Sequence, residues 1–257
     1  MKTLALYNIK GGVGKTASTV NLSYLAAHEG RRTLVWDLDP QGAATFYFRI
    51  RPKLKGGRRG LVEKKAKNRL GDQIRGTDFE GLDLLPADFS FRKLDLALDE
   101  VSRPEKPLKR ILKALAGEYD IIFLDCAPSI SVTSEALFEV SDALLVPTIP
   151  TPLSLRTLEQ LDRHLKGQGP KNLRVLPFLC MADRRKLLHR QIPLTLAETC
   201  AEMHRVEAPL ESQIPYSSVV EQMGTQRSPL FAYSRSSPAA QAYQALWQET
   251  KDRLGLD

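Results

Sequence analysis

Cysteine, histidine and long apolar runs are all scarce in this chain. Its three cysteines, Cys126, Cys180 and Cys200, include no C-x-x-C pair, which argues against a disulfide framework and against a cysteine-rich metal or iron–sulfur centre. The four histidines, His28, His164, His189 and His204, show no paired-ligand spacing, so no transition metal is expected. The longest apolar runs, Asp120 to Leu124 and Ala143 to Val146 among them, are strand-sized and far short of the roughly 20 residues of a membrane helix. The first ten residues are too short an apolar stretch for a secretory signal, and Lys10 interrupts them. The cytoplasm is the expected compartment.

The chain has 257 residues, 42% of them hydrophobic and 26% charged, enough to build one large α/β domain with a single core. Its net charge of +7 is unevenly placed. Ten basic residues and one acid, Glu63, lie between Arg49 and Arg69, so that stretch carries +9 and the remainder −2. Basicity this local points to an anionic partner met at one place. Within it, the Pro- and Gly-bearing segment Arg51–Gly60 reads as a loop inserted into the fold.

Short apolar, β-branched runs alternate with helical patterns, which predicts a doubly wound, mostly parallel sheet covered on both faces. The expected strands are Thr3–Asn8, Thr33–Asp37, Leu82–Leu85, Ile121–Asp125, Ala143–Pro147 and Arg174–Leu179. The expected helices are Lys15–His28, Pro107–Ala116, Thr133–Val140, Ser154–Lys166, Ile192–His204 and Pro238–Arg253. No internal repeat appears.

Lys10–Thr16 reads KGGVGKT between the first strand and the first helix, the context of a phosphate-binding loop. Glycines let successive backbone N–H groups turn toward phosphate oxygens, and the helix start adds its free N–H groups and positive dipole end. Lys15 is placed to reach the β- and γ-phosphates and the Thr16 hydroxyl to ligate Mg²⁺. Ile121–Asp125 is an apolar strand closed by an acid, the Walker B form, so Asp125 is expected to hold Mg²⁺ through water. Asp37-Leu38-Asp39-Pro40-Gln41-Gly42 ends the second strand at the same sheet edge, although an Asp-Pro pair also suits an ordinary turn.

One departure makes the loop specific. Five positions before Gly14 stands Ile9 in place of glycine, followed by a second lysine, Lys10. This K-G-G-x-G-K-T loop resembles the deviant Walker A signature of the ParA/MinD family of ATPases. The resemblance implies that Lys10 crosses a dimer interface to the partner's phosphates, a role parallel to an arginine finger. It makes Asp39 the residue that orients the attacking water and puts Asp37 near the Mg²⁺ shell. The nucleotide-contacting set it implies is Lys10, Gly11, Gly12, Val13, Gly14, Lys15, Thr16 and Ala17, with Pro215 further on. Cys126-Ala127-Pro128-Ser129 stands where the family has a D-x-P-P-type switch segment, with Ala127 replacing its first proline. Gly81–Ala87, Tyr119–Pro128, Ala143–Pro147 and the tail from Ile214 to Ala239 extend the likeness over nearly the whole chain. With no helix-turn-helix ahead of the first strand, residues 1–257 resemble a small ParA protein, one ATPase domain carrying a basic insertion around 49–69.

Family members of ParA type bind DNA without sequence preference as ATP dimers, and those of MinD type bind membranes through a C-terminal amphipathic helix. The tail Tyr243–Asp257 mixes Glu249, Asp252 and Asp257 with cations, which suits a packing helix better than a membrane-surface one. No membrane partner is expected. For DNA, Arg184, Arg185 and Lys186 follow the sixth strand, and Arg185 is the closest match to a DNA-contacting arginine of the family. Tyr216 and Val219 stand where DNA-binding relatives carry arginines; the Arg49–Arg69 block, Arg58 and Arg59 included, is expected to compensate. The resemblance implies ATP and Mg²⁺, a homodimer formed with ATP, a ParB-like or adaptor protein that stimulates slow hydrolysis, and a cargo moved along the nucleoid. That cargo is a plasmid or chromosome or, by the same mechanism, a carboxysome or chemotaxis cluster. A MinD-like membrane switch is the alternative; an iron–sulfur relative lacks its cysteines here, and a module without ATP turnover is the blandest reading.

Overall fold

A computed structural model describes residues 1–51, 73–87 and 94–256. Eight strands form one sheet: β1 (Lys2–Leu6), β2 (Thr33–Asp37), β3 (Arg75–Gly76), β4 (Leu82–Leu85), β5 (Ile121–Asp125), β6 (Ala143–Thr148), β7 (Arg174–Ala182) and β8 (Gln213–Pro215). Their order is β3-β4-β2-β5-β1-β6-β7-β8, and only the two-residue β3 runs antiparallel. The chain therefore starts in the middle of the sheet and winds outward in both directions, the doubly wound arrangement expected from the alternation of strands and helices.

Alternate residues of the central strands feed two separate cores. Leu4 and Leu6 of β1 with Ile121 and Phe123 of β5 face one side; Ala5 and Tyr7 with Ile122 and Leu124 face the other. Helix α1 (Lys15–His28) and the last helix, α10 (Pro238–Leu254), cover the first core. The second lies under α4 (Glu105–Leu115), α5 (Val132–Phe138), α6 (Pro152–Gln168) and α7 (Leu187–Glu202), preceded by the short α3 (Leu94–Asp99). Burial on both faces is why the strands read as continuous apolar runs. Further short helices, α2 (Ala43–Tyr47), α8 (Ser218–Glu221) and α9 (Met223–Gln226), shape connections at the carboxyl ends of strands.

Differences from the sequence reading concentrate at element ends. β1 stops at Leu6; the Tyr7 amide still donates to the Leu145 carbonyl at 3.1 Å, and the Asn8 side chain bonds the Lys10 amide and the Pro147 carbonyl. α7 starts at Leu187, five residues before the expected Ile192; Pro193, which suits a first turn, instead lies inside the helix. β7 runs on to Ala182 through a register shift at Met181, whose φ of 57° is left-handed. β3, β8, α2, α3, α8 and α9 are too short to leave a periodic signature.

Charges at the amino ends of the strands neutralise one another. Arg32, just before β2, pairs with Asp120, just before β5, at 2.7 Å, and Lys2 pairs with Asp142 at 3.7 Å. Arg174 opens β7 and binds Glu207 in a two-pronged contact at 2.6 Å, while its remaining nitrogen donates to the Arg253 carbonyl at the end of α10. α10 is thus fastened at its end and packed along its length, Trp247 lying 1% exposed with its ring 6.0 Å from that of Phe123. Trp247→Ala is expected to cost about 3–5 kcal/mol, read from urea denaturation. A loss below about 1 kcal/mol would show that α10 is not part of the core.

Candidate functional site

Residues 7–14 join β1 to α1 at the carboxyl edge of the sheet. Gly14 caps α1 with φ 94°, and a Cβ there would stand 2.7 Å from the Cys180 sulfur of β7. Both conformation and space demand glycine. Gly12 also has a left-handed φ of 70°, whereas Gly11 packs beside Pro128, whose Cγ would be 3.9 Å from an added Cβ. Val13 is buried, and Thr16 and Ala17 are half-buried in the first turn of α1. No side chain caps that turn and no acid stands in it, so its N–H groups remain available to an anion.

Lys15 is buried beneath the loop, and its ammonium donates to the Lys10 carbonyl at 2.9 Å. Desolvation lowers its pKa, opposed by the nearby Asp125 carboxylate. Lys10 is half-buried, and its ammonium has no protein partner among the described residues. The two lysines of the motif therefore differ: Lys15 is buried with its ammonium bonded to the loop's own backbone, whereas Lys10 is half-buried with its ammonium unpartnered among the described residues.

Asp37 and Asp125 are register partners at the carboxyl ends of β2 and β5, and both are fully buried. Oδ2 of Asp37 accepts from the Thr45 amide at 2.8 Å and from its hydroxyl at 2.7 Å; Oδ1 of Asp125 accepts from the Thr19 hydroxyl at 3.1 Å. Oδ1 of Asp37 and Oδ2 of Asp125 have no partner among the described residues. Burial raises both carboxyl pKa values, and the neighbouring carboxylate raises that of Asp125 further. Two adjacent orphaned oxygens beside the Thr16 hydroxyl form a hard-donor set that fits a hydrated Mg²⁺. Asp39 lies above them, half-buried; its Oδ1 accepts from the Gln41 amide at 2.9 Å, so it closes a turn as well as facing the site.

Pro215 ends β8 and lines a cleft of about 710 Å³ with Arg184, Arg185, Tyr216 and Pro238. The cleft adjoins the phosphate loop through β7, whose Cys180 lies under Gly14 and whose Ala182 lines the cleft wall. Arg185 is 84% exposed but forms a two-pronged ion pair with Asp183, both bonds 2.9 Å. Hydrogen bonding from Arg185 holds the Asp183 carboxyl down at about 2. Arg184 and Lys186 are exposed. Arg58 and Arg59 lie outside the described residues.

Several supporting residues escape sequence reading. Thr19 and Thr45 orient the two buried acids, Cys180 sets the clearance under Gly14, and the Tyr7 hydroxyl donates to the Ser129 carbonyl at 2.8 Å, fixing the loop after Asp125. None belongs to a motif. The one available signal is that an apolar strand rarely ends in Tyr-Asn unless both polar ends find partners.

A glycine loop at a helix start, an enclosed lysine and two buried acids on adjacent strand ends define a P-loop nucleoside triphosphatase. A family model described as an AAA domain matches residues 1–171. The chromosome partitioning protein ParA of Caulobacter vibrioides is 28% identical over 98% of this chain and 95% of its own length. The sporulation initiation inhibitor protein Soj of Bacillus subtilis is 34% identical over 62% of this chain and 63% of its own. Among solved structures, a cobyrinic acid a,c-diamide synthase from Mycobacterium smegmatis with bound ADP and magnesium superposes with a TM-score of 0.78 at 27% identity, covering 96% of this chain and 93% of that one. The chain belongs to the ParA/MinD family of P-loop ATPases.

Two outcomes follow from the geometry. Gly14→Ala is expected to abolish binding of a fluorescent ATP analogue, and adding Cys180→Ala should not restore it, because the left-handed φ persists. Recovery in the double variant would make clearance the whole requirement. Asp125→Asn removes a buried charge beside Asp37, so at pH 8 without nucleotide its thermal midpoint should rise by about 2–4 °C for each kcal/mol regained, while ATP turnover is lost. An unchanged or lowered midpoint would mean that Asp125 is not under electrostatic strain.

Proposed function

We propose that this protein is a ParA-type switch in which ATP closes two protomers face to face and hydrolysis releases them. The observation that carries the reading is Lys10, an unpartnered ammonium projecting from a phosphate loop whose own phosphate lysine is already enclosed. A second lysine that the loop does not use itself is suited to the nucleotide of a neighbour. The surface around it supports the idea. Ile130 after β5, Leu153 after β6, Leu187 after β7 and Tyr216 after β8 are all large apolar residues left 42–61% exposed. They line the carboxyl edge of the sheet together, as an interface would require.

In this reading the backbone of Gly11–Thr16 and the Lys15 ammonium hold the phosphates, and Pro215 borders the nucleoside. Thr16, Asp37 and Asp125 would hold Mg²⁺, which when bound would supply charge neutralisation at the phosphates. Asp39 orients the attacking water, and the partner's Lys10 stabilises charge that develops as the terminal phosphate leaves. DNA is the proposed track. Arg185 enters with its charge already paired, so Arg184, Lys186 and the Arg49–Arg69 stretch supply most of the cationic surface. A cargo-linked protein that stimulates hydrolysis would convert the dimer's lifetime into position along the DNA.

Light scattering with Mg-ATP tests the switch directly. Lys15→Ala is expected to lose nucleotide binding, Lys10→Ala to bind nucleotide yet remain monomeric, and Asp39→Ala to persist as an ATP dimer. A stable wild-type monomer with bound Mg-ATP, or rapid turnover by Asp39→Ala, contradicts the reading. On random duplex DNA, a log Kd that rises with log salt at a slope near 5 is expected if about six cations contact phosphates. Changing Lys53, Lys55, Arg58 and Arg59 to Glu should flatten that slope; an unchanged slope would remove the basic stretch from the interface.

A further inference from the structure

Immediately before the phosphate loop, Asn8 is only 4% exposed although it lies outside β1. Its Oδ1 accepts from the Lys10 amide at 2.9 Å, and its Nδ2 donates to the Pro147 carbonyl of β6 at 2.8 Å. The Lys10 carbonyl in turn accepts from the Lys15 ammonium at 2.9 Å. Both backbone polar atoms of Lys10 are therefore held, one by Asn8 and the other by Lys15, while its side chain is left without a partner. Fixing one residue's backbone in advance removes conformational freedom from it. For a long lysine that must meet a target on another molecule, that freedom would otherwise be lost at the moment of contact.

We propose that Asn8 is a positioning residue for Lys10: it fixes the backbone from which the lysine projects, so that the ammonium reaches across the interface from a defined origin. The inference rests on the proposed intermolecular role of Lys10. The chemistry asked of position 8 is specific. One acceptor must face the Lys10 N–H and one donor must face the Pro147 carbonyl, which an amide supplies in one side chain. Aspartate would set two acceptors against each other and add a negative charge beside bound phosphates. Serine can still accept from the N–H two residues on, in a weaker version of the same turn, but cannot reach Pro147.

A double-mutant cycle separates this role from simple support of the strand end. Dimer affinity is measured by light scattering with Mg and a non-hydrolysable ATP analogue, and nucleotide affinity is measured on dilute monomer. Asn8→Ala is expected to weaken the dimer about tenfold or more in the Lys10 protein but less than about twofold in the Lys10→Ala background. Nucleotide affinity of the monomer should change little. Asn8→Ser should recover most of the dimer affinity. Equal weakening in both backgrounds, an equally large loss of monomer nucleotide affinity, or a serine variant as weak as alanine would overturn the proposal. Should Asn8→Ala not fold, Asn8→Gln, which sets both groups one methylene further out, takes its place with the same outcomes. Lys10→Ala with unimpaired dimerisation would sink the dimer reading and this inference together. Lys10→Ala impaired beside an unaffected Asn8→Ala would sink this inference alone.

Discussion

Asp37 and Asp125 stand side by side in the middle of the molecule, and each keeps one oxygen that no described protein group satisfies. Two carboxyl groups buried side by side disfavour each other's charge, which raises both their pKa values, and a proton or a cation beside them lowers that cost. Everything around them fits that constraint. Thr19 and Thr45 take the opposite oxygens. Lys15 is close enough for the Asp125 carboxylate to favour its charge against desolvation, and its ammonium also donates to the Lys10 carbonyl.

Much of this was legible in the residues. An apolar strand closed by an acid, twice, and a glycine loop between strand and helix have few alternatives, and the structure brings Asp37, Asp125, Lys15 and Thr16 to one sheet edge as their spacing implied. Lys10 was visible for a different reason: it interrupts a pattern where a glycine was due. What stayed hidden acts through space. Nothing in the order of residues says that Cys180, some 160 positions along the chain, limits what Gly14 can be. Arg185 illustrates the opposite case, since its partner Asp183 is only two residues away, yet whether such neighbours meet depends on backbone geometry that composition does not fix. The helix expected from Ile192 begins at Leu187 instead and carries Pro193 in its interior, a position that sequence rules disfavour.

The family's lysine signature is usually read as a side chain. Here it is equally a statement about main chain, because the amide and carbonyl of Lys10 are each bound by a different side chain of the same loop region. The glycines around it give the loop its curvature, and Asn8 and Lys15 give it a fixed starting point. Glycines free to curve and a lysine backbone held at both polar atoms thus alternate within a few residues.

The two ends of the sheet have opposite electrical characters. At the amino ends, Lys2, Arg32 and Arg174 are matched with acids of the same chain; at the carboxyl ends, Lys10, Asp37 and Asp125 are left open. A substitution at the first end is expected to change how firmly the scaffold closes, whereas one at the second bears on grip and stability together, as the buried Asp125 shows. An experimenter attaching a label or tether therefore does best at the pole where charges are already matched.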